Sequence, residues 1–205
     1  MEKRQVLYIH GGNGFTKYGD YIAYLKTLDL DPFAEAHTRW NKTLAEDLGE
    51  DFEVFMPGMP NKLNAKYEEW KIWFEKHFEY LRDDVILVGF SLGSMFLTKY
   101  LSEQKPPVRI KALILLAPAA YYFVDPETGE DGGDFNCVSD NVPAIQNKVE
   151  QIYIFHSKDD FVIPYDHAEK LKELLPKAEL ITFEDKNHFL VEELPELVKK
   201  IKELA

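Results

Sequence analysis

Gly89-Phe90-Ser91-Leu92-Gly93 sets a serine between two glycines, directly after the apolar run Val85-Ile86-Leu87-Val88 and before a stretch of helical composition. A strand that turns sharply into a helix lifts the serine hydroxyl clear of the sheet edge. The glycines have a steric reason, since side chains at those positions in so tight a turn collide with neighbouring backbone. Such a turn also aims free N–H groups and the positive end of the helix dipole at the serine, where an oxyanion forms in acyl transfer. This order of residues marks Ser91 as a nucleophile.

A serine hydroxyl is a weak nucleophile until a base takes its proton, and the base works best when a carboxylate orients it. Six histidines are available. His188 lies in Glu184-Asp185-Lys186-Asn187-His188-Phe189, after the last predicted strand and before the last helix, at the sheet edge that carries Ser91. His77 and His167 fall inside predicted helices and His37 in an irregular or helical segment, as packing or surface residues. His10 and His156 end strands at the correct edge and compete with His188. His10 opens His10-Gly11-Gly12-Asn13-Gly14, where glycines let amides approach a substrate and the imidazole suits bracing the loop by hydrogen bonds. For the acid, Ser157-Lys158-Asp159-Asp160-Phe161-Val162-Ile163-Pro164 follows a strand. Adjacent aspartates commonly cap turns and helices, and one of them can also orient an imidazole. Both readings hold if Asp159 caps while Asp160 is buried against His188. The chain order is then Ser91, Asp160, His188.

The elements that must position these residues are legible as apolar runs. Strands are predicted over Gln5–Ile9, Phe52–Met56, Asp84–Val88, Ala112–Leu116, Gln151–Phe155 and Glu179–Phe183, with the near-continuous apolar content of parallel strands buried on both faces. Tyr67, Trp70, Phe74, His77, Phe78 and Leu81 form one stripe of an intervening helix, and such a stripe is core. The last helix carries Leu194, Leu197, Val198, Ile201 and Leu204 at helical spacing, with Glu192 and Glu193 near its start and lysines near its end. Alternation of strand and helix implies a doubly wound α/β sheet with right-handed crossovers. Residues 14–40 and 118–142 interrupt the alternation, each following a strand, and are expected to be loops at the substrate site.

Composition narrows the setting. The 205 residues are 45% hydrophobic, enough for a single domain over 1–205, and the formal charge of −12 argues against nucleic acid and anionic membrane as partners. One cysteine, Cys137, leaves no internal disulfide, and no acidic or histidine cluster has metal-ligand spacing, so neither metal nor cofactor is expected. The first residues run into a strand without an apolar signal core, and Asn41-Lys42-Thr43 has no meaning as a glycosylation site without secretion. A soluble cytoplasmic protein is the expectation.

Taken together, these segments resemble the α/β-hydrolase superfamily over essentially the whole chain. The resemblance is greatest to the small lidless serine hydrolases of the YdeN and retinoblastoma-binding serine hydrolase group. His10-Gly11-Gly12-Asn13-Gly14, Met56-Pro57-Gly58-Met59-Pro60, the Ser91 turn, Ser157-Lys158-Asp159-Asp160 with Val162-Ile163-Pro164, and Asn187-His188-Phe189 carry it. It implies a Ser91–Asp160–His188 triad, and an oxyanion hole from the amides of Leu92 and Gly12, with Asn13 as the other possible second donor. It implies six strands in spatial order 2-1-3-4-5-6 within a three-layer fold lacking a large cap domain. Phe90 stands where the group usually has histidine, which makes the pocket floor more apolar. Asn187 replaces a usual glycine, and asparagine tolerates the left-handed backbone that the glycine serves. Residues 14–40 are longer than the group needs.

The expected activity is hydrolysis of a small ester-type acyl bond through an acyl-serine, with a small-molecule ester or acyl compound as partner. Asn13, Phe15, Phe90, Tyr121, Phe161 and Phe189 are the candidates for lining the substrate pocket, and Tyr18, Tyr122 and Phe123 also fall near the mouth; aromatics there favour an apolar acyl or alcohol group. Loop packing is the other reading of each. Peptidase, thioesterase and carbon–carbon hydrolase chemistry use the same nucleophile, and a binding or regulatory protein that keeps the fold without turnover is the alternative from another class.

Overall fold

Six strands pair in parallel, β1 (Arg4–Ile9), β2 (Phe52–Phe55), β3 (Val85–Phe90), β4 (Ile110–Leu116), β5 (Val149–Ser157) and β6 (Glu179–Phe183), in the spatial order β2-β1-β3-β4-β5-β6. This is the order that the resemblance implies. The computed structural model describes residues 2–29, 31 and 39–204. Within it, α1 (Tyr18–Thr27), α2 (Trp40–Leu48), α3 (Tyr67–Glu75), α4 (Leu92–Glu103), α5 (Asp166–Leu174) and α6 (Pro195–Leu204) surround the sheet.

The central strands β1, β3, β4 and β5 are largely apolar and buried because both faces are covered, and their period-two alternation sorts residues between two cores. Leu7, Ile9, Val85 and Leu87 join Trp70 of α3, Phe96 of α4 and Leu171 of α5 on one face. Val6, Tyr8, Ile86 and Val88 join Trp40 and Leu44 of α2 and Leu197 and Ile201 of α6 on the other. The central pair is in register from Val6 opposite Ile86 to Ile9 opposite Gly89. The carboxyl ends of β1 and β3 therefore lie side by side, with His10 and Ser91 just beyond them.

The sequence expectations differ from the structure at element ends and in the two long connections. The predicted helix through Leu81 stops at Glu75 and tightens into a 3₁₀ turn over Lys76–Glu79, which carries His77. Residues 14–40 are not one loop: α1 lies within them and none of its residues is buried, while Phe33 and His37 lie outside the described residues. Residues 118–142 contain the 3₁₀ turn Gly133–Phe135 and the start of a second, Ser139–Asn147. No helix among the described residues is long and apolar enough to cross a membrane.

Candidate active site

Ser91 caps the start of α4 with φ 52° and ψ −119°, a conformation that L-residues adopt only where their surroundings enforce it. Its own N–H donates to the Leu116 carbonyl at 2.9 Å, and its carbonyl accepts from Ser94 N–H at 2.8 Å, so the turn is held from both sides. A Cβ on Gly89 would lie 2.8 Å from the Gly93 carbonyl oxygen, and one on Gly93 would overlap the Ile9 carbonyl oxygen. The glycines thus let β1, β3 and α4 meet at the distance the turn requires.

His188 and Asp160 reach this serine from the ends of β6 and β5. The Ser91 hydroxyl donates to His188 Nε2 at 3.0 Å, and His188 Nδ1–H donates to Asp160 at 2.9 Å to Oδ2 and 3.0 Å to Oδ1. Since the carboxylate can only accept from Nδ1, Nε2 is left with its lone pair facing the hydroxyl. Asp160 is fixed in turn by the N–H groups of Val162 and Ile163, both 2.9 Å from Oδ1. Asp159 takes a different part. Its carboxylate accepts from Ser157 Oγ at 2.5 Å and from Asn187 N–H at 2.8 Å, fastening the His188 loop to the end of β5. Asn187 has φ 41°, in the left-handed region, and its side-chain oxygen accepts from Leu190 N–H at 3.0 Å.

The two competing histidines are occupied elsewhere. His10 donates from Nδ1 to the Gly11 carbonyl at 2.6 Å and accepts at Nε2 from Met59 N–H at 2.8 Å, bracing the glycine loop. His156, fully buried, donates from Nε2 to the Ile163 carbonyl at 2.8 Å, closing the turn that grips Asp160. Burial holds both imidazoles below the usual histidine range.

Leu92 opens α4, so its N–H has no intrahelical acceptor. The Gly12 N–H has no main-chain acceptor among the described residues, whereas Asn13 N–H donates to the Lys62 carbonyl at 2.8 Å. Between the two possible second donors, Gly12 is therefore the free one. A Cβ at Gly11 would stand 3.1 Å from Ser91 Cβ, and one at Gly12 would stand 2.6 Å from the Lys62 carbonyl oxygen, so this loop closes tightly on the serine. The Asn13 side chain instead donates to Glu130 Oε2 at 2.8 Å, and Gly14 N–H donates to Oε1 at 3.2 Å. Burial pushes the Glu130 carboxyl above its usual range.

Ser91, His188, Gly12, Leu92, Asn13 and Phe90 all line one cavity of about 770 Å³. Four of the aromatic candidates do not line it. Phe15 is fully buried beneath Tyr21 and Tyr24 of α1, and Phe189 is buried against Phe183 on the α2–α6 face. Phe161 turns to solvent at 73% exposure, while Tyr121 packs on Tyr122 and the α4 core. In their place the cavity takes Tyr8, Tyr24, Arg39, Asn41, Met59, Met95, Phe123 and Glu130. Of these only Phe123 stood among the residues expected near the mouth; Tyr8 faces the site through strand parity, and Arg39 and Asn41 through the packing of the tryptophan between them. No group of three or more His, Cys, Asp or Glu side chains among the described residues could hold a metal ion.

Comparisons with known proteins bear on the fold and the family. The fold is shared with the ydeN gene product of B. subtilis at a TM-score of 0.75 and 19% identity, covering 98% of each chain. It is shared with a serine hydrolase of the polyaromatic-hydrocarbon-degrading bacterium Cycloclasticus zankles at 0.66 and 16%, covering 99% of this chain and 89% of that one. A monoacylglycerol lipase of Paleococcus ferrophilus matches at 0.57 and 15%, covering 99% and 95%. No curated protein matches the sequence. The profile of the serine hydrolase family matches residues 34–198. That span holds Ser91, Asp160 and His188 together, and the chain belongs to the serine hydrolase family.

Proposed function

We propose that this protein hydrolyses a carboxylic ester of a small molecule through an acyl-Ser91 intermediate. The observation that carries the reading is the unbroken line from Asp160 through His188 to Ser91, with contacts of 2.9 and 3.0 Å. As Ser91 Oγ attacks the ester carbonyl, His188 Nε2 takes the hydroxyl proton and Asp160 stabilises the imidazolium. The carbonyl oxygen becomes an oxyanion facing the Leu92 and Gly12 amides, each such donor typically contributing about 10²–10³ in kcat. The imidazolium then passes its proton to the departing alkoxide. Water enters, gives a proton to His188 and attacks the acyl carbon, and Ser91 leaves with that proton restored.

An ester is favoured over an amide by the fold relative named as a monoacylglycerol lipase, an ester-cleaving activity. The acidic surface and single cysteine suit a reducing cytosolic setting. The test is hydrolysis of p-nitrophenyl butyrate by the wild type and Ser91→Ala, with fluorophosphonate labelling of both. Wild-type turnover and labelling, both lost on substitution with a fall of about 10³-fold or more, are expected. Equal rates for the two proteins overturn the reading.

A further inference from the structure

The cavity straddles the edge of the sheet, and its two arms differ in chemistry. One arm lies over the face covered by α3, α4 and α5 and is lined by Met59, Leu92, Met95, Ala119, Phe123 and Ile163, all part of that apolar core. The other lies over the α2–α6 face, where Tyr8, Phe90, Arg39 and Asn41 line it beside His188. Ser91 sits between them.

His188 belongs to the second arm. Its ring is 5.2 Å from that of Phe90, Phe90 is 6.2 Å from Trp40, and Trp40 is 5.5 Å from Tyr8, forming an aromatic row along one face. The Trp40 indole N–H donates to the carbonyl of Phe189, the residue after His188. Arg39 and Asn41 flank this tryptophan in sequence, so they are carried to the side of the serine from which the imidazole acts. That side receives the leaving alcohol, because His188 must protonate its oxygen.

Three side chains that carry hydrogen-bond donors line this arm, and no carboxylate among the described residues lines it with them. Arg39 forms no ion pair among the described residues. Tyr8 is 2% exposed; its phenol oxygen accepts from Asn41 Nδ2 at 3.2 Å, and its own proton has no acceptor among the described residues. On a residue that lines the cavity, a buried hydroxyl proton with no acceptor among the described residues suits an acceptor carried by a bound molecule. Glu130 also lines the cavity, but its carboxylate is engaged by Asn13 and Gly14 on the oxyanion-loop side.

We infer that the substrate is an ester with an apolar acyl chain and an alcohol portion bearing an anionic group, bound by Arg39, Tyr8 and Asn41. A carboxylate is the planar match for the guanidinium fork. This inference rests on ester hydrolysis at Ser91 and adds the polarity of each half of the substrate.

The experiment compares kcat/KM for 4-carboxyphenyl butyrate and 4-carbamoylphenyl butyrate, nearly equal in shape and differing in charge. The carbamoyl ester has the better leaving group, so intrinsic reactivity opposes the expected order. The wild type is expected to favour the carboxylate about tenfold or more, in line with a charge-assisted contact. Arg39→Gln brings the ratio close to one, and Tyr8→Phe lowers it about threefold or more, whatever happens to absolute rates. Phenyl hemisuccinate, with the anion in the acyl half, is expected to gain nothing over phenyl butyrate. A wild type that cleaves p-nitrophenyl butyrate yet shows no carboxylate preference, an unchanged ratio in Arg39→Gln, or a preference for the hemisuccinate overturns the inference and leaves ester hydrolysis standing. No cleavage of any of these esters overturns both.

Discussion

The indole N–H of Trp40 donates to the main-chain carbonyl of Phe189 at 2.9 Å, tying the first residue of α2 to the residue after His188. Trp40 N–H also donates to the Val191 carbonyl at 3.3 Å. From the opposite side, Ser157 Oγ accepts from Lys186 N–H at 2.9 Å and Asp159 accepts from Asn187 N–H. The loop bearing the imidazole is thus fastened to both neighbouring elements, and its position does not depend on His188 alone. Trp40→Phe keeps an aromatic ring but leaves the Phe189 carbonyl buried without its donor. A loss of about 1–3 kcal/mol in stability is expected, read by urea denaturation. A fall of about tenfold or more in kcat should accompany it, since small displacements of a base are costly.

Asp160 is held by backbone N–H groups that a carboxamide oxygen can still accept, so Asp160→Asn should fold. Its amide nitrogen, however, would present a donor to His188 Nδ1. The imidazole would then carry its proton on Nε2 and could not accept one from Ser91. A drop of about 10⁴ in kcat with native circular dichroism is expected, measured with p-nitrophenyl butyrate.

Much of this was legible in the sequence, for reasons that also mark where legibility stopped. Glu179–Phe183 was expected as a strand and is β6 without change, because a short apolar, β-branched run between polar turns reads as a strand even at the sheet edge, where none of its residues is fully buried. Ser91, Asp160 and His188 were readable because each sits in a local pattern that follows a strand, and topology brings all such ends to one edge. The cavity wall was not readable in the same way. Phe15, Tyr121, Phe161 and Phe189 are aromatic and near that edge, yet side-chain direction sends three of them into packing and Phe161 into solvent. Tyr8 looked like core because it lies inside β1, yet it also lines the cavity. Arg39 and Asn41 owe their placement to Trp40, a long-range contact that no spacing along the chain announces.

Three histidines make the fold sensitive to acid. Burial lowers the basicity of His10, His156 and His167. His156 shows why: Nε2–H already serves the Ile163 carbonyl, and a proton on Nδ1 would be a buried donor with no partner among the described residues. In the unfolded chain these rings take up protons below about pH 6.5, while in the folded chain they resist. Stability is therefore full above that pH and is lost as pH falls toward the depressed folded values. Each ring contributes up to about 1.4 kcal/mol per pH unit. Denaturation midpoints measured at pH 7.5, 6 and 5 should fall steadily, and His156→Gln should flatten the dependence by about one proton. An unchanged slope in that variant would falsify the assignment of a neutral His156.

The glycine at the start of α4 offers a test of the turn that separates contact from conformation. Gly93 does not have a positive φ, so alanine is allowed there by backbone preference. What forbids it is space, because an added Cβ overlaps the Ile9 carbonyl oxygen and stands 2.7 Å from that of His10. Both are backbone atoms at the end of β1, and they cannot rotate away as a side chain would. Relief requires α4 to withdraw from β1, which separates Leu92 from the Gly12 loop. Gly93→Ala should therefore lose about 3 kcal/mol or more in urea denaturation, and any folded fraction should turn over esters at least about 10²-fold more slowly. Gly19 provides the contrast, since nothing lies within 4 Å of a Cβ added there and it occupies the first turn of α1. Gly19→Ala should raise stability by about 0.5–1 kcal/mol, with ester turnover as in the wild type. If both substitutions proved equally mild, close packing of α4 on β1 would not be what sets the geometry at Ser91.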